Sequence, residues 1–157
     1  LGQPEAGVLD VFGSALVFGS DDGVLLGLQR AGNVNSGRLY MPSGFIDPDD
    51  IGEGGTIDIA GSAARELTEE TGLVPGRDVE REAGFYLARC GPLISIAVPF
   101  RATVPVIDLA ERVRTTLAAD PEAELADVVA IRAARDLERF DVPDFARLVV
   151  THVLDGG

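Results

Sequence analysis

The alternation of apolar and polar positions lays out most of the chain. The runs "FGSALVF" (12–18) and "GVLLGLQR" (23–30) flank the turn-forming "GSDDG" and predict a β-hairpin. Residues 31–37 predict a loop, and "RLYMP" (38–42) a short strand ended by Pro42. Over 43–56, Pro48, four glycines and several aspartates predict a long irregular loop. Two long strands are predicted at 79–90 and 92–102, joined at Gly91, and another at 123–132. Helices are predicted over 108–119, 135–140 and 145–154, the last entered through Pro143. Strands mixed with helices predict one layered α/β or α+β domain over residues 1–157.

The most informative helix runs from a cap at Asp58 to a stop at Gly72. At about 100° per residue, Ala60, Ala63 and Leu67 form an apolar stripe facing a core. Glu66, Glu69 and Glu70 border that stripe at i, i+3, i+4 spacing, so their carboxylates stand side by side. Glu69 lies furthest from the stripe, on the open side. Arg65, one turn before Glu69, is expected to pair with it. One arginine leaves two carboxylates uncompensated, and a hard divalent cation held by oxygen ligands would relieve the repulsion. A solvated acidic face is the competing reading.

Charge and composition narrow the function. The 157 residues are 46% hydrophobic with a formal charge of −13, which suits a globular protein. That charge excludes non-specific nucleic-acid binding and attraction to an anionic membrane surface. The apolar stretch at 8–18 reads as neither a signal peptide nor a membrane span. Cys90 is the only cysteine, so no intrachain disulfide forms, and a cytoplasmic location is expected. His152 is the only histidine, which argues against His-based triads and multi-His metal sites. Ser14, Ser36 and Ser95 lack an elbow motif and a nearby histidine, so a serine hydrolase is rejected.

The string "RELTEETGL" (65–73) resembles the core of the Nudix box, R-E-U-x-E-E-x-G-U, where U is a bulky aliphatic. Arg65, Glu66, Leu67, Glu69, Glu70, Gly72 and Leu73 all match. "YMPSGF" (40–45) is similar to the family's entry to the box, and "ELADVVAI" (124–131) to the strand after its catalytic loop. The resemblance implies an α/β/α sandwich with a mixed β-sheet. It implies hydrolysis of a diphosphate bond in a nucleoside diphosphate linked to another group, with Mg²⁺ or Mn²⁺. It makes Glu66 and Glu70 the main metal ligands. Glu69 is shared between metal binding and water activation, with Arg65 orienting it. A homodimer is compatible with it.

The first half of the box departs from the pattern G-x5-E-x7-R-E. Counted back from Arg65, Ile57 and Ile51 stand at the Glu and Gly positions. With Gly44 as the equivalent glycine, the loop carries about seven extra residues. Asp58 and Glu53 are the candidates for the missing acid. Glu122 and Glu124 are candidate general bases, with ordinary solvated loop acids as the competing reading. Arg30 and Arg38 are candidate phosphate contacts. Phe45, Phe85 and Tyr86 are candidate stacking residues, each expected to pack in the core instead. Two alternatives stay open: a catalytically weak nucleotide sensor, and an acidic calcium-binding module at 47–58.

Overall fold

A computed structural model describes residues 7–32 and 34–157. The first six positions of the predicted domain, and Asn33 in the predicted 31–37 loop, lie outside the described residues. The strands are β1 (Asp10–Phe18), β2 (Val24–Gln29), β3 (Leu39–Tyr40), β4 (Ser43–Phe45), β5 (Val79–Arg81), β6 (Tyr86–Cys90), β7 (Leu93–Ala102) and β8 (Leu125–Ile131). The helices are α1 (Ile59–Thr71), α2 (Val106–Ala118) and α3 (Asp144–Leu154).

All eight strands join one mixed sheet. Period-2 alternation along β1 feeds two cores. Ala15 and Val17 face Ala63 and Leu67 of α1 and Leu109 and Val113 of α2. Phe12, Leu16 and Phe18 face Phe145, Ala146 and Val150 of α3. The architecture is therefore an α/β/α sandwich, as expected. Leu67 has no exposed surface, and truncating it to alanine is expected to cost about 2–5 kcal/mol.

The sheet opens in its middle. β1 runs parallel to β7 along its whole length. Its other edge is shared: Val17 and Phe18 pair with β2, while Phe12 to Ser14 pair with β4. The segment carrying β3 and β4 crosses between β1 and β2 where they splay apart. This opening positions the site described below.

Four boundaries differ from expectation. The loop over 43–56 contains β4 and two 3-10 turns, at Pro48–Asp50 and Glu53–Gly55. The strand expected over 79–90 is two, β5 and β6, separated by a bend at Ala83 and Gly84. The segment expected as a helix over 135–140 is a 3-10 turn, Ala134–Arg139. Helix α2 starts at Val106 because Asp21 Oδ1, 85 residues away, accepts the Val106 N–H at 3.0 Å. A cap so distant leaves no local trace in the sequence.

Candidate active site

Helix α1 is built as its pattern requires. Asp58 Oδ1 accepts the Gly61 N–H at 2.9 Å, and Gly72 closes the helix in the left-handed conformation (φ 75°). The acids then take three different environments. Glu69 is exposed, Glu66 is half-buried, and Glu70 is only 6% exposed.

The Ser43 N–H of β4 favours the ionised form of Glu70, yet among the described residues its Oε2 has no hydrogen-bond partner. Burial pushes its carboxyl up from 4.5 to about 8, reinforced by the charges of Glu124 and then Glu66. Burial, followed by the charge of Glu69, also raises Glu66. A buried carboxylate oxygen without a partner is costly in a protein interior. Oxygen-only donors with one orphaned atom suit a hard divalent cation. Among the described residues no three acids, histidines or cysteines are already drawn together into a ready-made ion site. The fit therefore rests on donor chemistry and on the Glu70 oxygen.

Gly44 sits against this cluster. A Cβ on it would lie 2.3 Å from the Glu66 carboxyl carbon, so only glycine lets that carboxylate approach β4. Glu124, exposed just before β8, acts electrostatically on both Glu70 and Glu66. Its carbonyl accepts the Arg30 N–H at 3.1 Å. Glu122 is exposed in the preceding turn, where its N–H donates to Asp120 Oδ1 at 2.9 Å. Arg30 reaches the same turn, its Nη1 donating to the Pro121 carbonyl at 2.9 Å.

Arg65 does not pair with Glu69. Its guanidinium holds Asp50 with two bonds, Nη1 to Oδ1 at 2.6 Å and Nη2 to Oδ2 at 3.2 Å. It also lies 3.5 Å from Asp47 and 3.7 Å from Glu66. Helical side chains lean towards the N-terminus, which carries Arg65 back to the loop and away from the next turn.

Asp50 is the acid that the sequence reading missed. It stands six positions after Gly44, at the G-x5-E spacing of the box. Residues 51–57 then leave the path and return to it. Ile51 bridges Ile57, Gly52 N–H donates to Thr56 O at 2.7 Å, and Asp58 N–H donates to Asp50 O at 2.8 Å. With those seven residues set aside, Asp50 precedes Arg65 by eight positions, as the box glutamate does. The signal was present in the six-residue step from Gly44, but only the closed excursion shows where to cut. Neither earlier candidate fills the place: Glu53 is exposed within the excursion, and Asp58 caps α1. The same facts weigh against a calcium loop at 47–58, which would use Asp47, Asp49 and Asp58. Asp47 and Asp50 are engaged with Arg65, and Asp58 with the helix.

On the other side of β4 lies a cleft of about 280 Å³, lined by Phe12, Arg38, Tyr40, Gly44, Phe45 and Phe145 among others. Tyr40 links it to the acids: burial, then the charge of Glu70, pushes its hydroxyl up to about 12. Arg38 is the cleft's cation, 3.7 Å from Asp141. Phe45 is 75% exposed here, and Phe85 is 54% exposed elsewhere beneath Arg81, so neither packs in the core as expected. Tyr86 is half-buried against His152. A wider open trough of about 900 Å³, over Cys90, Arg147 and His152, contains none of the clustered glutamates.

The chain matches the NUDIX domain family over residues 10–149. Solved structures share the fold. A MutT protein from Methanosarcina mazei Go1 is 21% identical, with 98% of each chain covered and a TM-score of 0.58. RenU, a Nudix hydrolase from M. smegmatis, is 13% identical, with 96% of this chain and 85% of that chain covered and a TM-score of 0.59. The NUDIX domain of Shewanella oneidensis NrtR, solved with ADP ribose, is 19% identical over 99% of this chain and 92% of that chain, with a TM-score of 0.52. Among curated proteins none matches the chain by sequence.

Proposed function

The chain belongs to the NUDIX family, and from that premise we propose that it is a Mg²⁺-dependent hydrolase. It cuts a diphosphate bond in a nucleoside diphosphate linked to another group. Hydrolysis of diphosphate bonds with a divalent metal is the general chemistry of the family. The observation that carries it to this chain is the orphaned Glu70 oxygen, buried within the field of the Glu124 and Glu66 charges.

Glu66 and Glu70 would hold the ion, with Mn²⁺ as a substitute, and Glu69 would reach it from the exposed side. When bound, the ion neutralises the diphosphate and polarises the phosphoryl group under attack. It also answers the charge of −13, which alone would repel such a substrate. Glu69 or Glu124 takes the proton from the attacking water, and Asp50 and Arg65 tie the loop after β4 to the middle of α1. The cleft binds the organic part of the substrate: Phe45 and Tyr40 offer aromatic surface, and Arg38 offers a cation to an anionic group.

The reading of this chain as a nucleotide sensor rested on a broken box. Asp50 repairs the box, which favours the enzyme. The test is a hydrolysis screen over ADP-ribose, dinucleotides, dinucleoside polyphosphates, sugar nucleotides and oxidised nucleotides, with Mg²⁺ or Mn²⁺. Turnover that disappears in Glu70→Gln supports the proposal. Tight nucleotide binding without turnover would replace it with the sensor.

A further inference from the structure

Two of the serines rejected as nucleophiles, Ser14 and Ser95, join Ser43 in a continuous chain through the sheet. Ser14 of β1 is the register partner of Ser43 of β4. Ser95 of β7 pairs with Phe12, two residues before Ser14, so all three hydroxyls share one face. Ser14 Oγ lies 2.8 Å from Ser43 Oγ and 3.3 Å from Ser95 Oγ, and Ser43 Oγ donates to the Met41 carbonyl at 2.6 Å.

One constraint orders the protons. A carbonyl only accepts, so Ser43 gives its single hydroxyl proton to Met41. Ser43 must then accept from Ser14, and Ser14 from Ser95. The bonds run in one direction, Ser95 to Ser14 to Ser43 to Met41, and each polarises the next. Ser14 and Ser95 have no exposed surface, and Ser14 lies between Phe12 and Leu16 on an otherwise apolar face. Apolar side chains would suit that face without any need for partners.

What the chain holds is β4. This strand is three residues long, and among the described residues its one strand partner is β1. It nevertheless carries the two groups that shape the acidic cluster: Gly44, packed directly against the Glu66 carboxyl, and the Ser43 N–H, which favours the Glu70 carboxylate. We infer that the Ser95–Ser14–Ser43 hydroxyl chain is a positioning device, which holds β4 in register so that its backbone meets the carboxylates of α1. Ser14 and Ser95 touch neither carboxylate and act only through Ser43. The consequence for metal binding rests on the proposed ligand role of Glu66 and Glu70; the placement of β4 does not.

The experiment compares Ser14→Ala and Ser95→Ala in the full chain, with Ser43→Ala as a second break should Ser14→Ala fail to fold. Amide hydrogen exchange is read at Ser43 and Gly44 in metal-free protein, and Mn²⁺ affinity is read by its paramagnetic signal. Ser14→Ala cuts the chain beside β4. It should speed exchange at Ser43 and Gly44 while protection in α1 and β7 holds, and weaken Mn²⁺ roughly 10-fold, the usual effect of losing an outer-shell partner. Ser43→Ala should do the same. Ser95→Ala leaves the two nearer bonds intact and should do much less, although its hydroxyl is as buried. Equal loss of melting temperature in Ser14→Ala and Ser95→Ala, with exchange at Ser43 and Mn²⁺ affinity unchanged, would overturn the inference. Wild-type protein that binds no Mn²⁺ would overturn the metal reading alone, since exchange at Ser43 still decides the role of the chain.

Discussion

Asp50 holds Arg65 through two hydrogen bonds from 15 residues upstream, and it does so from a side chain only 5% exposed. The bond joins the loop that follows β4 to the helix that carries the acids. Between the two residues, positions 51–57 form an excursion whose ends meet at Ile51 and Ile57.

Breaking this pair should be costly. Asp50→Asn leaves a guanidinium, one-third exposed, facing a neutral group, and is expected to destabilise the protein by about 2–4 kcal/mol, near the lower end for buried pairs. The Arg65 hydrogen bond holds the Asp50 carboxyl below its ordinary value of 3.8. The stabilisation is therefore fully present above that value and disappears as pH falls through the lower folded-state value. Melting temperatures of wild type and Asp50→Asn should stay well separated at neutral pH and converge only in strong acid. A constant gap through that range would show that the pair is not the cause.

The excursion should be dispensable. Every residue from Ile51 to Ile57 is exposed, and none lines the cleft. Deleting all seven joins Asp50 to Asp58, whose backbones already share a hydrogen bond of 2.8 Å. The shortened protein should melt within a few degrees of wild type and keep its relative rates among substrates. Phe45→Ala, in contrast, should change those relative rates by altering KM. A deletion that reorders substrate preference would place specificity in the excursion instead.

Glu70 supplies a pH prediction of opposite sign to Asp50. Its carboxyl is pushed up from 4.5 to about 8, so the metal-free folded state holds a proton that the unfolded chain has released. Metal-free stability should fall as pH rises from about 4.5 towards 8. Glu70→Gln should flatten that fall. Mg²⁺ should raise the wild-type melting temperature and leave that of Glu66→Gln/Glu70→Gln unchanged. Calorimetric scans with and without Mg²⁺ read both effects, and a metal response that survives in the double mutant would move the site elsewhere.

The general base is separable by kinetics. Glu69→Gln is expected to lower kcat by about 10² with little change in KM, as for a positioned proton acceptor. Glu122 is exposed in a turn, so Glu122→Gln should stay near wild type. Glu124→Gln should lose activity, since Glu124 is the charge that acts most strongly on Glu70. Full turnover in Glu69→Gln together with none in Glu124→Gln would assign the base to Glu124.

The local pattern of the chain determined a good deal by itself. The 3.6-residue period over Ala60, Ala63 and Leu67 decides which face of α1 is buried, because a helix leaves no other choice. Asp58 and Gly72 mark its ends, because capping depends on a few adjacent atoms. The string from Arg65 to Leu73 pointed to the family for the same reason: its chemistry lies within three turns of one helix. What depended on distant segments meeting was not legible. Asp50 replaces the box glutamate only because Ile51 and Ile57 close a loop between it and the helix. Asp21 starts α2 from 85 residues away, and Arg65 turns to Asp50 although Glu69 was the nearer partner in sequence. Phe45 stands at the mouth of a cleft because β4 crosses the opening between β1 and β2, and hydrophobicity alone placed it in the core. Ser14, Ser43 and Ser95 carry no sequence signal as a set, since three polar residues in three strands become one hydrogen-bonded chain only when the sheet sets their register. Periodicity and capping are properties of neighbours along the chain, whereas pairing, burial and charge depend on which neighbours folding brings together in space.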